Sequence, residues 1–216
     1  VKALVVDIGG THVKVTATGH EAEVKIDSGP TMTPAMMVKL VKAATNGWEY
    51  DAVSIGYPGP VLRGKPMSDP VHLAPGWVTF DFKKAFGSPV KLMNDAVMQA
   101  LGSYTGGRML FLGLGTGLGA AVIEDDHGEP LELAHLPYRK GRSYEDYLGN
   151  SGLQRLGRKK WEKHVFAVAE LFLKALVCES VVLGGGNARK LEVLPPSMTL
   201  GNNANAFKGG FGVWEG

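Results

Sequence analysis

The chain has 216 residues, 44% apolar and 20% charged, with a formal net charge of +2. That is the composition of an ordinary soluble globular protein, long enough for one large or two small domains. A single cysteine, Cys178, excludes an intrachain disulfide framework and any multi-cysteine zinc site. No apolar run approaches the ~20 residues needed to cross a bilayer, and no basic-then-apolar leader begins at Val1, so a cytoplasmic protein is the expectation.

Ala3-Leu4-Val5-Val6 reads as a buried strand running into the turn Asp7-Ile8-Gly9-Gly10-Thr11. Val13, Val15 and Ala17 then alternate with His12, Lys14 and Thr16, and Glu21 to Ile26 alternates again, so an antiparallel meander opens the chain. Thr33-Pro34 starts a helix, with Thr33 as its cap and Met37, Leu40, Val41 and Ala44 as its apolar face. Ala52-Val53-Ser54-Ile55 is a strand ending in a rigid turn, Gly56-Tyr57-Pro58-Gly59-Pro60. From Val61 to Gly76 there is no periodicity, and a loop of that length in a compact domain is usually functional or disordered. A short helix follows from Phe80 to Phe86.

After Pro89, Val90-Lys91-Leu92-Met93 is a buried strand that turns through Asn94-Asp95 into the helix-forming run Ala96 to Leu101. In α/β proteins ligands bind at such junctions. Asp95 can accept a proton, and Asn94 can hydrogen-bond a hydroxyl through either end of its amide. Helix capping is the alternative use of the pair.

Beyond Gly106-Gly107 the opening pattern recurs: strand Met109 to Leu112, turn Gly113-Leu114-Gly115-Thr116-Gly117, strand Leu118 to Ile123. This is an internal repeat of strand, Gly/Thr turn, strand. It implies an α/β fold of two similar lobes with a cleft between them. The expected division is residues 1–93 and 94–216, the last residues packing back on the first lobe. Trp161, Val165, Val168, Ala169, Phe172 and Leu176 keep helical spacing. Ser180 to Leu183 is a strand entering Gly184-Gly185-Gly186, after which Asn187 is expected to cap a helix through Leu191. The segment from Asn202 to Trp214 holds a final helix around Ala204 to Lys208.

Three Gly-rich turns thus follow buried strands: Gly9-Gly10-Thr11, Gly115-Thr116-Gly117 and Gly184-Gly185-Gly186. Glycine lets a backbone approach phosphate closely with its N–H groups, and a threonine hydroxyl adds a donor. Tight hairpins are the alternative, and the spacings match neither the Walker A loop nor the dinucleotide fingerprint. Asp7, beside the first turn, can hold Mg²⁺ through water or cap the turn. Glu132 and His135 stand three residues apart, with Glu145 ten residues on, a set of groups suited to a polyol. A metal site or plain surface charge are the other readings of these three. Between Arg139 and Lys163 eight basic residues face three acidic ones, so that stretch is +5 and the remainder −3. Such a segment suits a polyanionic partner or a solvated helix face.

Taken together, these residues resemble the ROK family of sugar kinases, within the actin-like, hexokinase-like (RNase H-like) superfamily. Asp7 to Thr11 is similar to its first phosphate motif, with Lys14 close by. Gly56 to Pro60 is similar to its sugar loop, with Gly59 a sugar contact. Asn94-Asp95 resembles the catalytic pair and Leu112 to Gly119 the second phosphate motif. Glu132-x-x-His135 resembles the sugar motif, although Ala134 replaces its usual glycine, and Gly184 to Gly186 resembles the adenosine-side motif. The resemblance implies that Asp95 is the general base for a sugar 6-hydroxyl and that Asn94, Glu132, His135 and Glu145 bind ring hydroxyls. It is nearest to polyphosphate glucokinases and zinc-free glucokinases. Expected partners are therefore glucose, Mg²⁺ and polyphosphate or ATP as phosphoryl donor, with no zinc, no nucleic acid, no membrane, and a homodimeric state. A ROK kinase for another hexose, or a non-catalytic hexose sensor, is the alternative.

Overall fold

The computed structural model describes residues 1–20, 22–202 and 204–215. The chain divides into two compact units, Val1–Met98 with Ala206–Gly216, and Gln99–Asn205.

The first unit contains β1 (Ala3–Ile8), β2 (His12–Ala17), β3 (Val24–Asp27), α1 (Pro34–Ala44), β4 (Ala52–Tyr57), the small ladder β5 (Val61–Leu62) and β6 (Lys65–Pro66), α2 (Phe82–Phe86) and β7 (Val90–Asn94). Helix α3 (Asp95–Ser103) begins here and the unit boundary falls within it. The sheet order is β3-β2-β1-β4-β7. Strands β1, β2 and β3 form the antiparallel meander, while β1, β4 and β7 run parallel. Glu21, expected to open the third strand, lies outside the described residues. Every residue of β4 is buried, as a strand covered on both faces requires. Thr33 caps α1, its side chain accepting from the Met36 amide, and Pro34 occupies the first turn.

The second unit holds β8 (Met109–Leu114), β9 (Leu118–Glu124), β10 (His127–Pro130), the ladder β11 (Pro137–Arg139) and β12 (Arg142–Ser143), α4 (Glu145–Leu148), α5 (Asn150–Leu156), α6 (Arg158–Ala175), β13 (Ser180–Gly184) and β14 (Met198–Leu200). Its sheet order, β10-β9-β8-β13-β14, repeats the first: an antiparallel meander with parallel strands added beside its first strand. The duplication is thus a duplication of topology. Helix α6 buries Trp161, Val165, Val168, Ala169 and Phe172 against the same core as Leu110, Leu112, Val181 and Leu183. Its first turn is anchored by Trp161 Nε1, which donates to the Leu148 carbonyl at 2.8 Å.

Several local expectations change. Gly56 and Tyr57 belong to β4, and Gly113 and Leu114 to β8, so both turns begin later than their glycines suggest. Directly after Asn187 stands a 3₁₀ turn over Ala188–Lys190 in place of the expected helix through Leu191. Asn187 has φ −88° and ψ −16° and makes no side-chain cap bond, so its expected capping role is corrected. The final helix, α7 (Asn205–Gly212), starts and ends later than expected. It packs on the first unit, where a Cβ on Gly210 would lie 2.3 Å from Val5 Cγ1. Among the described residues no helix is long and apolar enough to cross a membrane.

Candidate functional site

In the first unit, the carboxyl ends of the parallel strands β1, β4 and β7 lie side by side, with Asp7, Gly56 and Met93 in one row across the sheet. This is where an open α/β sheet places its ligands. The first turn leaves β1 here. Its carbonyls are held by the protein: Gly9 O accepts from Ser28 Oγ at 2.6 Å and Thr11 O from the Ser28 amide at 2.9 Å. Gly9 N–H is used as well, donating to His12 O at 2.9 Å. Among the described residues the N–H groups of Gly10 and Thr11 are the turn's unengaged donors, the kind an anion takes.

At the end of β7, Asn94 is 8% exposed and its amide works at both ends. Oδ1 accepts from the Ala96 and Val97 amides at 2.9 and 3.3 Å, capping α3, while Nδ2 donates to Gly59 O at 2.9 Å. The capping alternative therefore describes Asn94 Oδ1. The same side chain ties the Gly59 loop to the helix start. Asp95 is the first residue of α3, and its Oδ1 accepts from Ala96 N at 2.8 Å.

The long loop after β5 and β6 is ordered by buried anchors. Tyr57 Oη donates to Ser68 O at 2.7 Å, and burial pushes the phenol pKa well up. Asp69 Oδ1 accepts from the Gly76 and Trp77 amides at 3.1 and 2.7 Å, and those bonds hold its carboxyl below the usual range. The loop sets His72 on the first turn, where a Cβ on Gly10 would lie 3.0 Å from His72 Cβ.

Asp7 is the electrostatic outlier. Desolvation raises its pKa from 3.8 to about 6; Lys14, its cross-strand neighbour, opposes the rise and Glu23 adds to it. A desolvated carboxylate beside a phosphate-type turn suits a hard cation that keeps most of its water and takes one carboxylate with substrate phosphates, as Mg²⁺ does. Among the described residues no three His, Cys, Asp or Glu side chains gather as a metal cage.

In the second unit the turn after β8 repeats the pattern. Gly115 O accepts from Asn150 N and Asn187 Nδ2, both at 3.1 Å, and Thr116 O from Asn150 N at 3.2 Å. Gly115 N donates to Gly117 O at 3.1 Å, and Leu118 N to Glu145 Oε2 at 3.1 Å. Among the described residues the N–H groups of Thr116 and Gly117 are left as donors. The third turn lies against this one. Asn187 N donates to Leu114 O at 2.9 Å, and a Cβ on Gly185, whose φ is 82°, would come within 2.6 Å of the same carbonyl. Only glycine fits there. Gly184 is likewise packed under Phe111, while Gly186 has nothing within 4 Å.

Glu132 and His135 are exposed on the segment leading to β11, and that segment is tied to the turn through Glu145, whose N–H donates to Ala134 O at 2.9 Å. The structure thus brings Asp7, Gly9, Gly10, Thr11, Lys14, Gly59, Asn94 and Asp95 to one sheet end. It gathers Gly115, Thr116, Gly117, Glu145 and Gly184 to Gly186 around another. Ser28, His72 and Asn150 were missed; each reaches its turn from far along the chain, and no local pattern marks them. The basic residues are spread over β11, β12, α5 and α6, so they do not form one helix face. Arg158 is paired with Glu192 at 2.6 Å. Arg139 and Arg155 instead lie over the rings of Tyr138 and Tyr147, at 5.4 and 4.8 Å.

A model of the ROK family matches residues 3–129 of the chain. The polyphosphate glucokinase of Mycobacterium tuberculosis (strain ATCC 25618 / H37Rv) is 24% identical over 213 residues, covering 88% of this chain and 80% of that protein. The crystal structure of the inorganic polyphosphate/ATP-glucomannokinase from Arthrobacter sp. strain KM superposes with a TM-score of 0.79 at 21% identity, over 97% of this chain and 96% of that one. A ROK family transcriptional regulator, a homologue of the E. coli MLC protein, shares the fold with a TM-score of 0.74 at 13% identity, over 97% of this chain and 76% of its own.

Proposed function

Because the chain belongs to the ROK family, we propose that it is a sugar kinase that moves a phosphoryl group from polyphosphate or ATP to the 6-hydroxyl of glucose. The observation that carries this reading is the pair of like turns. In each, the protein holds carbonyls of the turn, Gly9 and Thr11 in one and Gly115 and Thr116 in the other, and leaves two N–H groups, Gly10 and Thr11 in the first and Thr116 and Gly117 in the second. A sensor of sugar alone has no use for two such anion-binding turns.

In this reading Asp95 takes the proton of the 6-hydroxyl as that oxygen attacks the donor phosphorus. Asn94 positions it by fixing the start of α3 and the Gly59 loop together. Glu132, His135 and Glu145 hold ring hydroxyls, the carboxylates by charge-assisted bonds. The turn amides oppose the phosphate charge that builds at transfer. Asp7 is the residue that would hold Mg²⁺, which supplies further charge neutralisation at the donor phosphates. The exposed basic residues around Arg139, Arg142, Lys159 and Lys160 favour polyphosphate among the donors.

A coupled assay for glucose 6-phosphate, run separately with nucleotide-free polyphosphate and with ATP, tests this. Product with either donor is the expected result. Glucose binding without product from any donor would make the protein a sensor.

A further inference from the structure

Glu145 does more in this structure than a sugar ligand needs to do. Its Oε2 accepts the Leu118 N–H at 3.1 Å, at the point where the second turn enters β9. The same oxygen occupies the space beside Gly117: a Cβ there would lie 2.3 Å from it. Its own N–H holds Ala134 O at 2.9 Å, between Glu132 and His135. Five residues on, Asn150 N grips Gly115 O and Thr116 O from the other side of the turn. The segment between is packed into the core of the second unit. Tyr147 and Leu148 are buried, and Leu148 O takes the indole N–H of Trp161. Residues 145–150 therefore clamp the turn at both ends, and the two unengaged amides, Thr116 and Gly117, lie between the clamps.

We infer that Glu145 is a positioning residue for the donor-side turn, its carboxylate setting the direction of the Thr116 and Gly117 amides while its backbone ties that turn to the Glu132–His135 segment. The inference rests on the reading of this turn as a phosphate site. It adds a coupling: one carboxylate oxygen is committed to the turn and the other is available to a sugar hydroxyl, so a sugar that pulls on Glu145 acts on the donor amides.

Three variants separate this from a sugar contact alone. Glu145→Gln keeps an oxygen that can accept from Leu118 N–H; Glu145→Ala removes it; Gly117→Ala pushes the carboxylate off the turn without touching its charge. Kinetics are measured with sugar and donor varied separately. In parallel, tripolyphosphate and ATP binding to sugar-free protein is measured by calorimetry, and exchange of the Leu118 amide by NMR or mass spectrometry. The expected result is a donor KM and donor Kd raised about tenfold in Glu145→Ala and Gly117→Ala, the scale of one lost charge-assisted bond. Glu145→Gln should stay within about twofold for donor while its sugar KM rises, and the Leu118 amide should lose protection in Glu145→Ala and Gly117→Ala but keep it in Glu145→Gln. If Glu145→Ala and Gly117→Ala raise only the sugar KM and leave donor Kd unchanged, Glu145 does not position the turn, and the kinase reading survives. If the wild-type protein turns over no sugar with any donor, the kinase reading fails, and the calorimetry and amide exchange still decide the positioning role. Should Glu145→Ala fail to fold, Gly117→Ala against Glu145→Gln decides the same question.

Discussion

Ser54 and Gly210, 156 positions apart, share a hydrogen bond: the Ser54 hydroxyl, wholly buried in the middle of β4, donates to the Gly210 carbonyl at 2.5 Å. The same hydroxyl accepts the Trp214 indole N–H at 2.7 Å, so one polar side chain satisfies two groups of the returning C-terminal segment. Lys91 closes the arrangement from β7, its ammonium bonded to Val213 O and 4.5 Å from the Trp214 ring.

Ser54→Ala should therefore cost about 1–3 kcal/mol, because it leaves the Gly210 carbonyl and the Trp214 indole without a partner. Denaturant unfolding followed by tryptophan fluorescence measures it. A change below about 0.5 kcal/mol, the scale of an ordinary surface substitution, would mean that the segment is held by its apolar contacts alone.

Asp95→Asn should lower turnover by roughly two to four orders of magnitude, the usual scale for a lost general base. Sugar affinity should change little, since the amide keeps the shape. Near-normal turnover in this variant would remove Asp95 from the base role.

Asp7 makes stability depend on pH in a definite direction. With a folded pKa of about 6 against 3.8, the native state keeps the proton to higher pH than the unfolded chain does. Ionisation thus costs stability as pH rises from about 4 to about 6, and the full cost stands above 6. Asp7→Asn should accordingly raise the stability of the ligand-free protein by about 1–3 kcal/mol at pH 7.5, with the gain vanishing near pH 4. It should also abolish Mg²⁺-dependent activity. Thermal melts of both proteins across that pH range give the comparison, and a gain that persists at pH 4 would refute the desolvation argument.

Polyphosphate-driven phosphorylation should weaken steeply with salt, because a linear polyanion exchanges condensed counterions for Lys and Arg much as nucleic acids do. ATP, held by turns and Mg²⁺, should respond less. Lys159→Gln with Lys160→Gln is the informative pair of changes, since Arg158 is already engaged by Glu192. The double variant should raise the polyphosphate KM more than the ATP KM and flatten the salt response. An unchanged salt slope would take these lysines out of donor binding.

Much of this fold could be read from the chain because its signals are local. The apolar runs of β1, β8 and β13, the Thr33-Pro34 start of α1 and the stripe from Trp161 to Phe172 each name their element by composition and period. The duplication was legible for the same reason. What stayed hidden depends on partners distant in sequence. Gly56 looks like the start of a turn, yet its bare Cα leaves room for Met98 Cε and the Asp7 carboxylate, and pairing on both sides carries the strand through it. Asn187 has a cap's chemistry, but its amide is drawn to Gly115, 72 residues earlier. Strands β10 and β14 are too short to show a pattern and exist because a neighbour pairs with them. The turn glycines were visible, but Ser28 and Asn150, which hold the turns' carbonyls, and Glu145, which takes the Leu118 amide, could be placed there only by the fold.

The return of α7 to β1 and β4 has a consequence for how the protein is made. Val5, Met98 and Ala206 share one buried cluster, and Phe207 and Phe211 pack on it. On the ribosome, Val5 and Met98 emerge well before their cover, because all of Gln99–Asn205 must be synthesised in between. At about 5–20 residues per second that interval is roughly 5–20 s. During it the first sheet carries an uncovered apolar face, and the second unit, whose residues are contiguous, is made in full before the first residue of that cover. The unit begun first is thus completed last, and a nascent chain stalled before Ala206 presents the bare face that holdase chaperones bind.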